Sequence, residues 1–325
     1  MTRRLLFITS NQIGDAVLST GVLAHLLRQE PDLRVTVACG TVPQQLFAAV
    51  PNLDRLLVVR KRKRAGHWRE LWRQTVGTRW WRIVDMRRSA LPWLLWARHR
   101  QSVPKIDGLH RVQLAAAALG LQDDPPPPVI WTRPEDEAEA ERLLPAAGGP
   151  VLGVGPTANW PGKSWPIDHW IDLTRRLTAA DGPLPGARVA VFGAPNEREA
   201  AAALLAALDG QAVDLVGGPH LLTVAAALGR CRLYVGNDSG LMHMAAAAGA
   251  PTLGLFGPTD DRLYRPWSPR AAIVRTPESL EDWRRHMARP EFDVATTGSL
   301  LTSLEVATVE QAARRLFSDT AGAGV

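Results

Sequence analysis

Apolar residues along the chain follow two rhythms, short continuous runs and longer stretches in which they recur every third or fourth position. In the first half the runs predict strands at Leu5–Thr9, Val35–Cys39, Leu56–Val59 and Arg82–Met86, with a short one near Ser102–Lys105. Val17, Leu18, Val22, Leu23, Leu26 and Leu27 repeat at helical spacing and predict a helix over Ala16–Gln29, closed by Pro31. Trp68, Leu71, Trp72 and Val76 mark one face of a short amphipathic helix. Ser89–Arg98 and His110–Leu119 also read as helices, and Thr41 with Gln44 as a capping box.

The same alternation restarts in the second half. Strands are expected at Val151–Val154, Arg188–Phe192, Val213–Val216, Leu233–Val235, Thr252–Phe256 and Ala271–Val274. Helices are expected at Ile167–Leu177, Glu197–Leu208 and Leu221–Leu228, and in the small-residue segment Leu241–Ala248, stopped by Gly249 and Pro251. Thr308 with Gln311 reads as a capping box opening a terminal helix through Phe317, followed by a tail, AGAGV, expected to be disordered. Pro125–Pro128 is a stiff spacer, and the acidic run Glu135–Arg142 begins a helix. This alternation implies an α/β fold of two doubly wound, Rossmann-like parallel-sheet domains, with the boundary between about 123 and 150 and the domains drawn at 1–148 and 149–325.

Length and composition agree with two soluble domains: 325 residues, 46% hydrophobic, mean hydropathy −0.08. No apolar run approaches the roughly 20 residues of a spanning helix. The opening MTRRLLFITSNQIGD is interrupted too early, at Asn11, Gln12 and Asp15, for a signal peptide. Cys39 and Cys231 stand at no metal spacing, which fits a reducing cytoplasm and excludes a disulfide framework. Charge changes the picture more. Residues 60–100 hold thirteen Arg or Lys against Glu70 and Asp85, a balance of +11, so the rest of a chain of net +6 carries −5. Six of the twelve Trp lie in that window, making one region basic and aromatic.

In parallel sheets, ligands bind beyond the carboxyl ends of the strands, so the polar and glycine-rich turns there are the residues to collect. The first half offers Ser10, Asn11, Gly14 and Asp15. The second offers Gly155–Lys163, Gly193–Glu197, Gly217–Pro219, Asn237–Gly240 and Gly257–Asp260, a concentration that favours a nucleotide-type ligand. Asn237-Asp238-Ser239-Gly240 opens a helix whose terminal amides suit an anion. GxGxxG, the P-loop, the GxSxG elbow and HExxH are all absent.

Three separated blocks, IGDAVLST, GPTANWPGKSWP and GNDSGLMHMAAAAGAPTLGLFGPTD, resemble glycosyltransferase family 9, the heptosyltransferases of lipopolysaccharide core assembly. VDMRRSALPWLLWA and HRVQLAAAALG match more loosely, and the likeness runs from about residue 4 to 317. The resemblance implies a GT-B fold: two Rossmann-like domains facing across a cleft, acceptor on the first, donor nucleotide on the second. The helix at about 308–317 is then expected to return to the N-terminal domain. The implied activity is inverting transfer of a heptose or related sugar from an ADP-activated donor to a lipopolysaccharide core or similar glycolipid, with no metal or other cofactor. The implied partners are the ADP-sugar and a lipid-linked or phosphorylated glycan. Region 60–100 is a candidate either for peripheral contact with the anionic inner membrane from the cytoplasmic side or for gripping a phosphorylated glycolipid acceptor, and no nucleic acid is expected.

Carried onto this sequence, Lys163 matches the lysine that neutralises the donor phosphates, with Asn159 and Thr157 beside it as hydrogen-bonding candidates. Glu197 matches the glutamate that binds the donor ribose, although on sequence alone it is equally a first-turn helix carboxylate. Asp238, Ser239 and Gly240 match the diphosphate turn, with His243, otherwise a packed helix histidine, one turn on. Asp15 matches the general base, and competes with a plain helix-capping role. The chain departs from the pattern at Gly21, where many relatives have Pro, and in lacking cysteines over Glu281–Leu301. Two alternatives stand beside this reading: another GT-B transferase using a UDP- or GDP-sugar, and a basic nucleic-acid-binding module.

Overall fold

The computed structural model describes residues 3–321, which divide into two compact units between Arg133 and Pro134. In the first, β1 (Arg4–Ile8), β2 (Arg34–Cys39), β3 (Leu53–Val58), β4 (Trp80–Asp85) and β5 (Ala97–Ser102) form one parallel sheet in the order β3-β2-β1-β4-β5. Leu5 to Ile8 are fully buried, as an unbroken apolar run in a parallel sheet should be. The helices are α1 (Ile13–Gln29), α2 (Gly66–Thr75) and α3 (Arg111–Ala116).

The second unit opens with α4 (Pro134–Leu143). Its strands are β6 (Val151–Gly155), β7 (Arg188–Gly193), β8 (Ala212–Val216), β9 (Leu233–Asn237), β10 (Thr252–Phe256) and β11 (Ala271–Arg275). They form a parallel sheet ordered β11-β10-β9-β6-β7-β8. Its further helices are α5 (Ile167–Thr178), α6 (Arg198–Ala207), α7 (Leu221–Gly229), α8 (Gly240–Ala247), α9 (Asp261–Tyr264), α10 (Leu280–Met287) and α11 (Val306–Ala321). Trp165 and Trp170 meet edge to face at 5.2 Å in its core, and Trp165 Nε1 donates to Leu304 O. Each sheet reverses its winding once, between β1 and β4 and between β6 and β9. Those switch points are where a doubly wound sheet opens a crevice at its carboxyl edge.

Several elements differ from the sequence expectation. The division falls at Arg133 and Pro134, within the expected stretch of about 123–150 and earlier than the line drawn at 148, because α4 packs against α7 and buried Asp136 accepts a hydrogen bond from Thr223 Oγ1 at 3.2 Å. The proline spacer lies on α1: Val129 N donates to Thr20 Oγ1, and a Cβ at Gly21 would fall 2.6 Å from Pro127 O. Glycine at position 21 is thus a packing requirement. Ser89–Arg98 is not helical. It is a 3-10 turn, Leu91–Leu94, followed after Leu95 and Trp96 by β5, and the Arg100 guanidinium takes the Pro92 and Leu95 carbonyls that a helix would need. Neither proposed capping box forms: Pro43–Phe47 is a 3-10 turn after Val42 with no side-chain cap, and α11 begins before Thr308. On α2, Leu71 and Thr75 are buried while Trp72 and Val76 face outward. Within its own unit α11 packs against α5, β11 and β10, which leaves its expected return to the first unit untouched. Of the tail, residues 322–325 lie outside the described residues.

Candidate functional site

The loop after β6 and the turn after β9 meet at the second sheet's switch point. Pro161–Lys163 make one 3-10 turn that presents Lys163, and its Nζ lies 2.7 Å from Asp238 Oδ2. The Asp238 side chain is 6% exposed and that of Lys163 23%, so this is a nearly buried ion pair with the lysine on its outer side. The loop is clamped in place. Trp165 N donates to Asn237 Oδ1 at 3.1 Å, and Leu300 N donates to Gly162 O.

Ser239 is extended (φ −146°, ψ 172°), and Gly240 starts α8, with no side chain capping its first amides. Amides at such a helix start carry partial positive charge. Asn237 Nδ2, Ser239 Oγ and Thr259 Oγ1 are buried without a protein hydrogen-bond partner at the ends of β9 and β10. Buried polar groups ordinarily have partners, so these three are available to a polar ligand or an ordered water. His243 is buried in α8, one turn beyond Gly240.

At the end of β7, Glu197 Oε2 accepts from Thr157 Oγ1 at 2.7 Å and from Ala194 N at 2.8 Å. The carboxylate therefore closes its own turn and is also tied to the β6 loop. Thr157, 4% exposed, directs its hydroxyl to Glu197. Asn159 is exposed and makes no side-chain hydrogen bond to this group. The structure thus brings Lys163 together with Asp238, and Thr157 with Glu197, while Asn159 stands apart.

In the first unit Asp15 is the third residue of α1, whose N-cap is Gln12 and whose amides no side chain caps. Asp15 Oδ2 accepts from Ser10 Oγ at 3.3 Å, and Ser10 Oγ in turn accepts from Gln12 N. The carboxylate is held by a neighbouring loop hydroxyl instead of capping the helix. The other side of this switch point, the end of β4, adds two residues that the sequence reading passed over. Asp85 is fully buried and accepts from Arg87 N, Ser89 N and Ser89 Oγ at 2.6–2.8 Å. Burial pushes its carboxyl above the usual carboxylate range, with those hydrogen bonds pulling the other way. Arg87 Nη1 donates to Asn11 Oδ1 at 3.2 Å, and its guanidinium lies 4.9 Å from the Trp68 ring. The signal was there: Asp-Met-Arg directly after an apolar strand is the same strand-end pattern that singled out Ser10–Asp15.

A cavity of about 270 Å³ opens between the end of β3 and α2, with Arg60, Arg62 and His67 among its lining residues. Among the described residues no three His, Cys, Asp or Glu side chains converge as metal ligands, and no helix is long and apolar enough to cross a membrane.

Residues 86–291, more than half of the chain, match the family model "Glycosyltransferase family 9 (heptosyltransferase)". Lipopolysaccharide heptosyltransferase 2 of Salmonella typhimurium is 31% identical over 163 residues, 47% of this chain and 45% of that protein. The chain thus spans about half the length of the relatives it matches at this level. Two solved structures resemble it along nearly their whole length. A glycosyl transferase family 9 protein of Veillonella parvula has a TM-score of 0.78 at 21% identity, covering 98% of this chain and 97% of its own. The E. coli ADP-heptose lps heptosyltransferase II has a TM-score of 0.76 at 22% identity, covering 98% and 99%. The likeness of these structures shows the fold, two Rossmann-like domains of the GT-B type. With the matched region reaching from just after β4, Arg87 included, through the Lys163 loop to the Asp238 turn, the chain belongs to glycosyltransferase family 9.

Proposed function

We propose that this chain is an inverting glycosyltransferase that moves a heptose, or a related sugar, from an ADP-activated donor to a lipopolysaccharide core or similar glycolipid. The observation that carries this reading is the Lys163–Asp238 pair beside the α8 amides at a switch point. An ammonium has three N–H donors; with one on Asp238, Lys163 keeps two for phosphate oxygens, and the α8 amides supply further positive charge. Asp238, itself anionic, serves by orienting the lysine, while Ser239 and Gly240 bring the amides. Glu197, held through Oε2, accepts from a ribose hydroxyl through Oε1. The names of the lipopolysaccharide heptosyltransferase relatives, and the ADP-heptose enzyme among the similar folds, support this choice of donor and acceptor.

In the proposed reaction Asp15, oriented by Ser10, takes the proton of the acceptor hydroxyl as that oxygen attacks the anomeric carbon. The bond from that carbon to the diphosphate breaks, and ADP leaves with the electron pair. Lys163 and the helix amides stabilise the charge that gathers on the leaving group, so no metal or other cofactor takes part. Arg60, Arg62 and His67 around the first unit's cavity meet anionic groups of the acceptor. The protein is proposed to work in the cytoplasm, in peripheral contact with the inner membrane through region 60–100.

The test is turnover of ADP-, UDP- and GDP-heptoses with a lipid-A-type core acceptor, read by product mass with and without a chelator. Product from the ADP-sugar alone, at a rate indifferent to chelation, is expected. Product only from a UDP- or GDP-sugar would replace the donor assignment.

A further inference from the structure

The first unit carries a tryptophan-tipped projection that stands in solvent. Trp93, Leu94 and Trp96 are 76%, 62% and 66% exposed, on the 3-10 turn Leu91–Leu94 and the approach to β5. Their exposure follows from how the turn is fastened. Leu91 and Leu95 occupy the core beneath it, and Arg100 donates to Pro92 O and Leu95 O at 2.8 and 2.9 Å. The inward positions are filled, so the remaining large side chains point out.

A second element extends the surface. Trp72 Nε1 donates to Leu94 O at 3.3 Å, setting α2 alongside the turn. Trp72 and Val76, 39% and 41% exposed, share one sector of that helix with Arg69 and Arg73. The Arg79 guanidinium lies 4.4 Å from the Trp96 ring. Within residues 60–100 the two carboxylates are turned away from it: Glu70 lies around the helix, accepting from Gln74, and Asp85 is fully buried.

Clustered exposed aromatics on a soluble fold mark an interaction surface. Tryptophan ringed by arginine matches the interface of a lipid bilayer, where indoles settle at headgroup level and cations meet lipid phosphate. The position in the sheet fits as well. Arg79 and Trp96 precede the amino ends of β4 and β5, whereas Asp85 ends β4 and Asp15 follows β1 at the carboxyl edge. A surface that settles on lipid here leaves the carboxyl edge accessible.

We propose that this projection docks the protein on an anionic lipid bilayer, with Trp93, Leu94 and Trp96 entering the headgroup layer and Arg69, Arg73 and Arg79 resting on lipid phosphates. This deepens the peripheral-contact part of the function proposed above, and it does not depend on the transfer reaction. The test is co-sedimentation of the full chain with vesicles of phosphatidylglycerol in phosphatidylethanolamine, against phosphatidylcholine alone, over a range of salt. Binding is expected only to the anionic vesicles and should weaken as salt rises. Trp93→Ser/Leu94→Ser/Trp96→Ser should lower partitioning at least about tenfold. Arg69→Gln/Arg73→Gln should lower it by about fivefold per arginine at low salt. Melting temperatures should match the parent, and Trp93→Ser alone provides a milder variant with the same sign. Triple-variant binding within twofold of the parent would overturn the proposal, as would equal binding to neutral vesicles. So would a projection that instead drives self-association, seen as an oligomer by sedimentation velocity that the triple variant abolishes. Transfer to a soluble, delipidated acceptor should be equal in parent and triple variant. Its absence from both would count against the transferase reading and leave the docking result standing.

Discussion

Replacing Lys163 should affect stability and donor binding through two different interactions, which a second substitution can separate. Lys163→Ala removes the counter-ion of a carboxylate only 6% exposed, 2.7 Å away. Losing one partner of a buried pair costs about 3–5 kcal/mol, and a single charged hydrogen bond about 1.5–3 kcal/mol. The 23% exposure of the lysine places this pair toward the lower range, because water can reach the carboxylate once the ammonium is gone. For a unit of this size that corresponds to a melting shift of roughly 3–12 °C. Donor binding should also fall about ten- to a hundredfold, from loss of a charged contact to the diphosphate. In Lys163→Met/Asp238→Asn the buried charge is gone as well, so most of the melting temperature should return. ADP affinity should not. Calorimetric titration with ADP alongside thermal melting reads both quantities. If the double variant regains ADP affinity to within a few-fold of the parent, the lysine serves only to neutralise Asp238, and the donor-site argument fails.

Asp15→Asn should lower kcat at least about a hundredfold with ADP affinity and melting temperature nearly unchanged, because the residue caps nothing and its amide is no useful base; turnover within a few-fold of the parent would end its role. Thr157→Val keeps the shape but removes the 2.7 Å donor to Glu197, worth about 1 kcal/mol, so ADP affinity should drop several-fold while 2′,3′-dideoxy-ADP binds parent and variant alike. Both cysteines are buried and free, and burial pushes each thiol up to about 12, so neither should react with iodoacetamide at pH 8.5 until the chain unfolds. By linkage, their folded pKa values lie above the ordinary thiol value of 9.0. Their contribution to stability is complete below that pH and is lost as pH rises toward 12, which melting curves in that window should follow.

Much of the fold was legible because the signals are local. A parallel strand covered on both faces must be an unbroken apolar run, and all six second-unit strands were placed within two residues at each end on that basis. Readings failed where a distant group decided the backbone. Ser89–Arg98 has helical composition, but Asp85 takes the amide of Ser89, and Arg100 takes two carbonyls of the turn. The capping boxes at Thr41 and Thr308 satisfied the spacing rule without the helix starting where the rule requires it. The domain boundary moved for the same kind of reason, since α4 is assigned by its packing on α7, about ninety residues later in the chain.

The site shows the same division in sharper form. Which turns carry polar chemistry follows from strand order alone, and Ser10–Asp15, the Lys163 loop and the Asp238 turn all lie at the switch-point edges where that rule points. What each residue does there depends on a partner far off in sequence. Lys163 meets Asp238 across 75 positions, Thr157 meets Glu197 across 40, and Arg87 meets Asn11 across 76. No periodicity encodes such pairs. The consequence is chemical as well as descriptive. Read one at a time, Thr157 and Asp238 look like phosphate ligands, a hydroxyl and a turn residue in the right blocks. Read as pairs, the threonine directs its proton to a carboxylate, and the aspartate, which would repel a diphosphate, holds the cation proposed to attract it. A carboxylate nearly buried beside an anion site makes physical sense only when a lysine stands between them. That is why the pair, and not either residue alone, is the unit on which the proposed donor site rests.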